Sequence, residues 1–162
     1  MTRLHHFEDF PPGAVFRAGP ILVDAARIKS FGVEFDPQPQ HIDEEAAAAS
    51  QFGELVASGW HTAAISMRLF IEALPPIPGG GMGTGVERLS WPRPVRPGDA
   101  LRVTVEVTAA RLSRSRPEKG LVTFQITTFN QRDEVVQSFA TAVMVPRRAP
   151  SAPHDNIQGE NA

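Results

Sequence analysis

The hydrophobic pattern of this chain changes once, from that of a helix to the alternation typical of strands. This change restricts the possible folds more than any other feature. Between Gly59 and Leu74 apolar residues dominate, with no proline and no internal glycine, and they spread around much of the helical circumference. A helix that is apolar nearly all round is usually buried. Downstream, residues 101–107 alternate apolar with polar side chains, as a half-buried strand does, and 121–130 and 135–145 repeat the alternation. The sequence therefore predicts an α+β domain in which one antiparallel sheet wraps around a long central helix.

Shorter elements are predicted on both sides of this helix. Asp24 and Asp43 stand at N-cap positions before two short helices, at 25–31, which Gly32 can close, and at 44–50. Residues 131–134 are predicted to form the turn of a hairpin. Short extended pieces are predicted at 14–17, 21–23 and 86–91, with an irregular loop over 75–81 and a flexible glycine-rich connection over 79–85.

Composition restricts the class of partner. The 162 residues suit one domain, predicted over 1–146, while 147–162 lose all periodicity and are predicted to be a disordered tail. A formal net charge of −2 argues against nucleic acid as a partner.

The absence of cysteine excludes disulfides and thiolate sites, and no apolar run is long enough for a membrane span or a secretory core. We expect a cytoplasmic protein, and a homodimer, because the sheet would leave a strand edge exposed.

Asp36 and His41 are the candidate catalytic pair, five positions apart on a segment stiffened by Pro37 and Pro39. Taken alone, an Asp-Pro step is a common turn starter and a loop histidine is usually solvated. Each proline fixes its own φ angle and restricts the residue before it, so the segment can hold two polar side chains in a set geometry. A carboxylate beside an imidazole suits proton transfer near neutral pH.

Gly59 is the candidate anion site, because it stands at the start of the apolar helix, where backbone N–H groups face an oxygen ligand. A glycine there is equally typical of helix starts and of close packing. Ser58 and His61 flank it and are predicted to join it in binding the substrate, although such residues more often cap or pack. No metal site is predicted, because the HxxxH spacing is missing and no carboxylates group with His41 and His61.

The segment Asp36-Pro37-Gln38-Pro39-Gln40-His41 resembles the signature of the MaoC-like dehydratases, relatives of (R)-specific enoyl-CoA hydratases. That signature reads Asp-x-Asn-Pro-(aliphatic)-His, followed six residues later by a small residue, here Ala47. The stretches 52–59 and 91–99 are similar to the family as well, and the resemblance covers about Phe7 to Val145. Gln38 and Gln40 depart from the motif.

This resemblance implies a hot-dog fold and the reversible hydration of a 2-enoyl-CoA to a 3-hydroxyacyl-CoA. Asp36 and His41 match the pair that activates water, and Gly59 matches the glycine whose amide binds the thioester oxygen. It implies an acyl-CoA substrate and no cofactor beyond the coenzyme A of that substrate. Two alternatives stay open: thioester hydrolysis on the same fold, and a catalytically silent subunit that binds acyl thioesters.

Overall fold

A single antiparallel sheet is the largest structural unit of the protein, in a computed structural model that describes residues 3–149. Its five strands lie in the order β1-β3-β4-β5-β2. The strands are β1 (Val15–Leu22), β2 (Met82–Ser90), β3 (Ala100–Leu112), β4 (Lys119–Phe129) and β5 (Val135–Pro146). The helices are α1 (Ala25–Phe35), α2 (Pro39–Ile42), α3 (Glu44–Ala48) and α4 (Gly59–Ala73), preceded by a 3₁₀ turn at Phe7–Asp9.

The core lies between α4 and one face of the sheet. Along β4 every second side chain is fully buried, as the alternating pattern predicts. Phe124 of β4 meets Phe70 of α4 edge to face, with ring centroids 5.4 Å apart, and Leu69 of α4 is also fully buried in this cluster. The predicted α+β architecture, a sheet around a central helix, is confirmed.

Helix α4 is buried on one side only. Ile65, Ser66 and Leu69 face the core. Trp60 and Ile71 are 61% and 62% exposed, so they are open to solvent in the single chain. The prediction of a helix buried all round was therefore wrong for one copy of the chain, and an apolar stripe of α4 has no cover within residues 3–149.

The first strand and the first helix are both longer than predicted. The two short extended pieces are one strand, β1, which pairs with β3 on both sides of a register shift between Ala18 and Ile21. Asp24 caps α1 as predicted, accepting from the Arg27 N–H at 2.8 Å. The helix, however, continues through Gly32 to Phe35.

Two further predictions concern the connection before β2 and the end of the domain. Residues 82–85 belong to strand β2, so the predicted flexible connection is shorter than expected. Of the predicted tail, only 147–149 lie among the described residues. There Arg148 Nη2 donates to both carboxylate oxygens of Asp9, to Oδ1 at 2.8 Å and to Oδ2 at 2.7 Å.

Candidate active site

A cavity of about 480 Å³ opens at the start of α4. It brings together four of the five residues predicted to form the site: Asp36, His41, Ser58 and Gly59. Trp91 and Arg93, from the segment after β2, form part of its wall. His61 does not line this cavity.

Asp36 is held by two hydrogen-bond donors. It follows the last residue of α1, and its N–H donates to the Gly32 carbonyl at 2.9 Å. Ser58 Oγ donates to Oδ2 at 2.6 Å, and Gln38 Nε2 donates to Oδ1 at 2.8 Å. These two bonds, Ser58 first, lower the pKa of the Asp36 carboxyl from its usual value. The group is therefore a carboxylate at neutral pH and accepts hydrogen bonds.

His41 lies in the short helix α2 and not, as predicted, on a loop. Its Nδ1 is 2.7 Å from the Val56 carbonyl, which can only accept, so Nδ1 carries the hydrogen. In the neutral ring Nε2 is then an acceptor, and it lies 3.5 Å from Asp36 Oδ2. Two acceptors at this separation can each take one hydrogen of a single water molecule.

Gly32 sets the distance between the elements that carry this pair. A Cβ at Gly32 would lie 2.8 Å from the His41 carbonyl oxygen and 2.9 Å from Ile42 Cγ2. Its place inside α1 is therefore explained by the close approach of α2 and not by a helix end. This is why the predicted stop at Gly32 was wrong.

The start of α4 supplies a backbone donor. Ser58 is the N-cap, and its Oγ accepts from the Trp60 N–H at 3.2 Å while donating to Asp36. Within residues 3–149 no atom accepts a hydrogen bond from the Gly59 N–H. Such a free N–H at the positive end of a helix suits an oxygen that gains negative charge.

His61 lies against α1. Its ring stacks on Phe31, with centroids 4.8 Å apart and planes at 9°. Burial, with a smaller contribution from Arg27, lowers the pKa of His61 from its usual value. The predicted role in substrate binding therefore has no geometric support, and the packing alternative fits the position.

Gln38 and Trp91 were not among the predicted site residues. Gln38 departs from the motif, yet its side-chain amide donates to Asp36. The signal was present in the sequence, because glutamine and asparagine carry the same amide donor. Nothing in the sequence indicates that Trp91 reaches Gly59.

Neither a metal-binding cluster nor a membrane-spanning helix is found in the part of the chain that the structure describes. In residues 3–149 no group of three or more His, Cys, Asp or Glu side chains is placed to hold a metal ion. No helix in the same range is long and apolar enough to cross a membrane.

A central helix wrapped by a five-stranded antiparallel sheet defines a hot-dog domain. The chain belongs to the MaoC-like dehydratase family: residues 9–129 match the MaoC like domain. The fold and family expected from the motif are thus confirmed.

Individual relatives agree with this membership. The chain is 34% identical to the uncharacterized protein YdeM of Bacillus subtilis over 86% of this chain and 98% of that protein. It is 32% identical to an (R)-specific enoyl-CoA hydratase of Rhodospirillum rubrum, over 90% and 94% of the two chains. The crystal structure of a MaoC-like dehydratase from Rhodospirillum rubrum matches with a TM-score of 0.84 and 51% identity, covering 90% of this chain and 99% of that one.

Proposed function

We propose that this protein catalyses the reversible addition of water to a 2-enoyl thioester of coenzyme A, giving the 3-hydroxyacyl thioester. The observation that carries the proposal is the 3.5 Å separation of Asp36 Oδ2 and His41 Nε2 in a cavity that Gly59 also lines. The 32% identity to an (R)-specific enoyl-CoA hydratase supports the same reaction. The coenzyme A moiety and a cytoplasmic location stay predictions from the sequence.

The proposed hydration begins with a water molecule between the two side chains. His41 Nε2 accepts one proton of this water, while Asp36 accepts a hydrogen bond from the other and stabilises the imidazolium that forms. The water oxygen bonds to C3 of the substrate, and the electron pair of the C2–C3 double bond moves toward the thioester carbonyl. The Gly59 N–H stabilises the enolate oxygen, and the imidazolium returns its proton to C2. Dehydration is the reverse sequence.

Two assays separate this reaction from its alternatives. Hydration removes the absorbance of the conjugated enoyl group and leaves the thioester intact, whereas thioester hydrolysis releases a free thiol. A silent binding subunit would bind an acyl-CoA and give neither signal. Loss of enoyl absorbance without thiol release is the expected result, and thiol release at the same rate as substrate loss would refute the proposal.

Gln38→Leu should shift the acidic limb of the titration curve of the Asp36 carboxyl, followed by NMR of its side-chain carbon, to higher pH. Gln38 donates to Asp36 Oδ1, and this bond contributes to the lowered pKa of the carboxyl. Without the donor the pKa of Asp36 rises, so the active carboxylate is lost at a higher pH as the solution is acidified. The other ionisable side chains that line the cavity, those of His41 and Arg93, are unchanged.

Two matched variants control this experiment. Gln38→Asn keeps an amide donor, so we expect its acidic limb to lie closer to the wild-type position than that of Gln38→Leu. Gln51→Leu changes another glutamine that lines the cavity, one with no bond to Asp36, and should leave the limb in place. An unshifted limb in Gln38→Leu would show that this bond does not set the ionisation of Asp36.

We also propose that a second copy of the chain covers strand β2 and the exposed stripe of α4. Strand β2 is a sheet edge, and eight of its nine residues are exposed. An uncovered edge strand offers unpaired N–H and C=O groups to another strand. Trp60, Met67 and Ile71 of α4 add exposed apolar surface.

The proposed homodimer predicts a mass in solution of twice the 17.6 kDa of one chain. Met67→Glu combined with Ile71→Glu should shift the population toward monomer, because a carboxylate is costly to bury without a partner. Light scattering after size-exclusion chromatography measures the mass. Val33→Glu, which places the same charge on an exposed apolar position of α1, is the control and should stay dimeric. A monomeric wild-type protein would contradict the proposal.

A further inference from the structure

The side chain of Trp91 fills the space beside Gly59. A Cβ at Gly59 would lie 2.8 Å from Trp91 Cε2 and 2.9 Å from Cδ2, closer than any real Cβ contact. The indole therefore occupies the space that a side chain at residue 59 would need. The sequence had offered two reasons for a glycine here, ligand approach and packing, and the contact identifies the packing partner.

A buried glutamine fixes the position of this indole. Trp91 Nε1 donates to Gln137 Oε1 at 2.8 Å. Gln137, on β5, is fully buried, and its Nε2 has no partner among the described residues. Trp60 packs edge to face against Trp91, with centroids 5.4 Å apart. The indole is thus held from two sides while it still lines the cavity.

We propose that Trp91 is a specificity-determining residue, whose indole excludes acyl groups that carry a substituent at C2. This proposal rests on the proposed function, which places the thioester oxygen at the Gly59 N–H. C2 is bonded to the carbonyl carbon of that thioester, so a substituent on C2 lies next to the wall of the anion site. On the side of Gly59 where a Cβ would stand, that wall is the Trp91 ring. Unbranched 2-enoyl thioesters fit beside it.

The test compares kcat/KM for 2-butenoyl-CoA and 2-methyl-2-butenoyl-CoA. The selectivity ratio is kcat/KM for the branched substrate divided by kcat/KM for the unbranched one. We expect Trp91→Ala to raise this ratio by at least about tenfold, because one methyl group in an apolar pocket changes kcat/KM by about 10–200-fold. Trp91→Phe, which keeps a smaller ring, should give a smaller shift in the same direction. Leu112→Ala removes an exposed apolar side chain that does not line the cavity, and should leave the ratio unchanged.

Gln137→Leu tests the hydrogen bond that holds the Trp91 indole separately from the indole ring itself. It removes the acceptor of the Trp91 N–H while the indole itself stays, so we expect a ratio between those of the wild type and Trp91→Ala. A purely structural role would instead lower kcat/KM for both substrates by the same factor. An unchanged ratio in Trp91→Phe and Trp91→Ala would overturn the proposal.

Fluorescence gives a readout that does not depend on turnover. The chain has two tryptophans, so a Trp60→Phe protein reports Trp91 alone. Titration with butanoyl-CoA, which has no double bond to hydrate, should change its emission and reach saturation, and no change would overturn the proposed contact. If this signal appears while the wild type hydrates no enoyl-CoA, the proposed function fails and the contact stands. If the wild type is an active hydratase and the selectivity ratio does not move, the specificity proposal fails alone.

Discussion

Asp36→Asn should lower kcat for enoyl-CoA hydration by about 10²–10⁴-fold, the range typical of a positioned acid–base group. The amide that replaces the carboxylate has nearly the same shape, so the cavity is kept while the negative charge is lost. In the proposed reaction this charge orients the water and stabilises the imidazolium of His41, whose Nε2 lies 3.5 Å away. Steady-state loss of enoyl absorbance measures the effect, and a circular-dichroism melt checks that the variant is folded.

Glu34→Gln is the matched control for this experiment. It makes the same change of charge on an exposed residue two positions earlier in the chain, outside the cavity. His41→Ala should fall in the same range as Asp36→Asn. The double variant should have nearly the same kcat as the less active of the two single variants, because the effects of groups that act as a unit are not additive. Full activity in a folded Asp36→Asn protein would exclude Asp36 from the chemistry.

Gly32→Ala should lower kcat by about 10²-fold, the effect of a displacement of about 1 Å in a catalytic group. Residue 32 lies outside the cavity lining, and yet its Cβ would meet the His41 carbonyl oxygen at 2.8 Å. Because that atom belongs to the backbone, α2 has to shift as a whole and takes His41 away from Asp36. The same strain should lower the free energy of unfolding by about 1–3 kcal/mol, as overpacking typically does.

The experiment measures kcat and the thermal midpoint of Gly32→Ala together. Val33→Ala, at the next position of α1, trims a side chain that is 67% exposed and should leave kcat unchanged. A folded Gly32→Ala protein with wild-type kcat would show that the approach of α1 to α2 does not set the position of His41.

Local sequence signals predicted much of the fold. Asp24 and Asp43 cap their helices as expected, each accepting from the N–H three residues later. The central helix starts at Gly59 as predicted and ends one residue earlier than Leu74. These features depend on neighbours within a few positions in the chain, and such interactions can be recognised in a sequence.

The errors share a physical cause, because each depends on a partner distant in sequence. Gly32 was predicted to end α1, but it lies inside the helix, and a glycine is needed there because α2 packs closely against it. His61 looked like a site residue, but it packs on Phe31 of α1. The exposed stripe of α4 could not be separated from the buried one, because both are apolar and only the position of the sheet distinguishes them.

The sequence by itself determined the α+β class, the central helix and the Asp36–His41 pair, because hydrophobic period, capping and motif spacing are properties of the chain. Tertiary structure decided how that pair is arranged. It placed Ser58 and Gln38 on the two carboxylate oxygens and tied His41 to the Val56 carbonyl. It also set the Trp91 indole against Gly59. These contacts join segments that meet only when the sheet closes on α4, so the geometry of the site follows from packing and not from the motif alone.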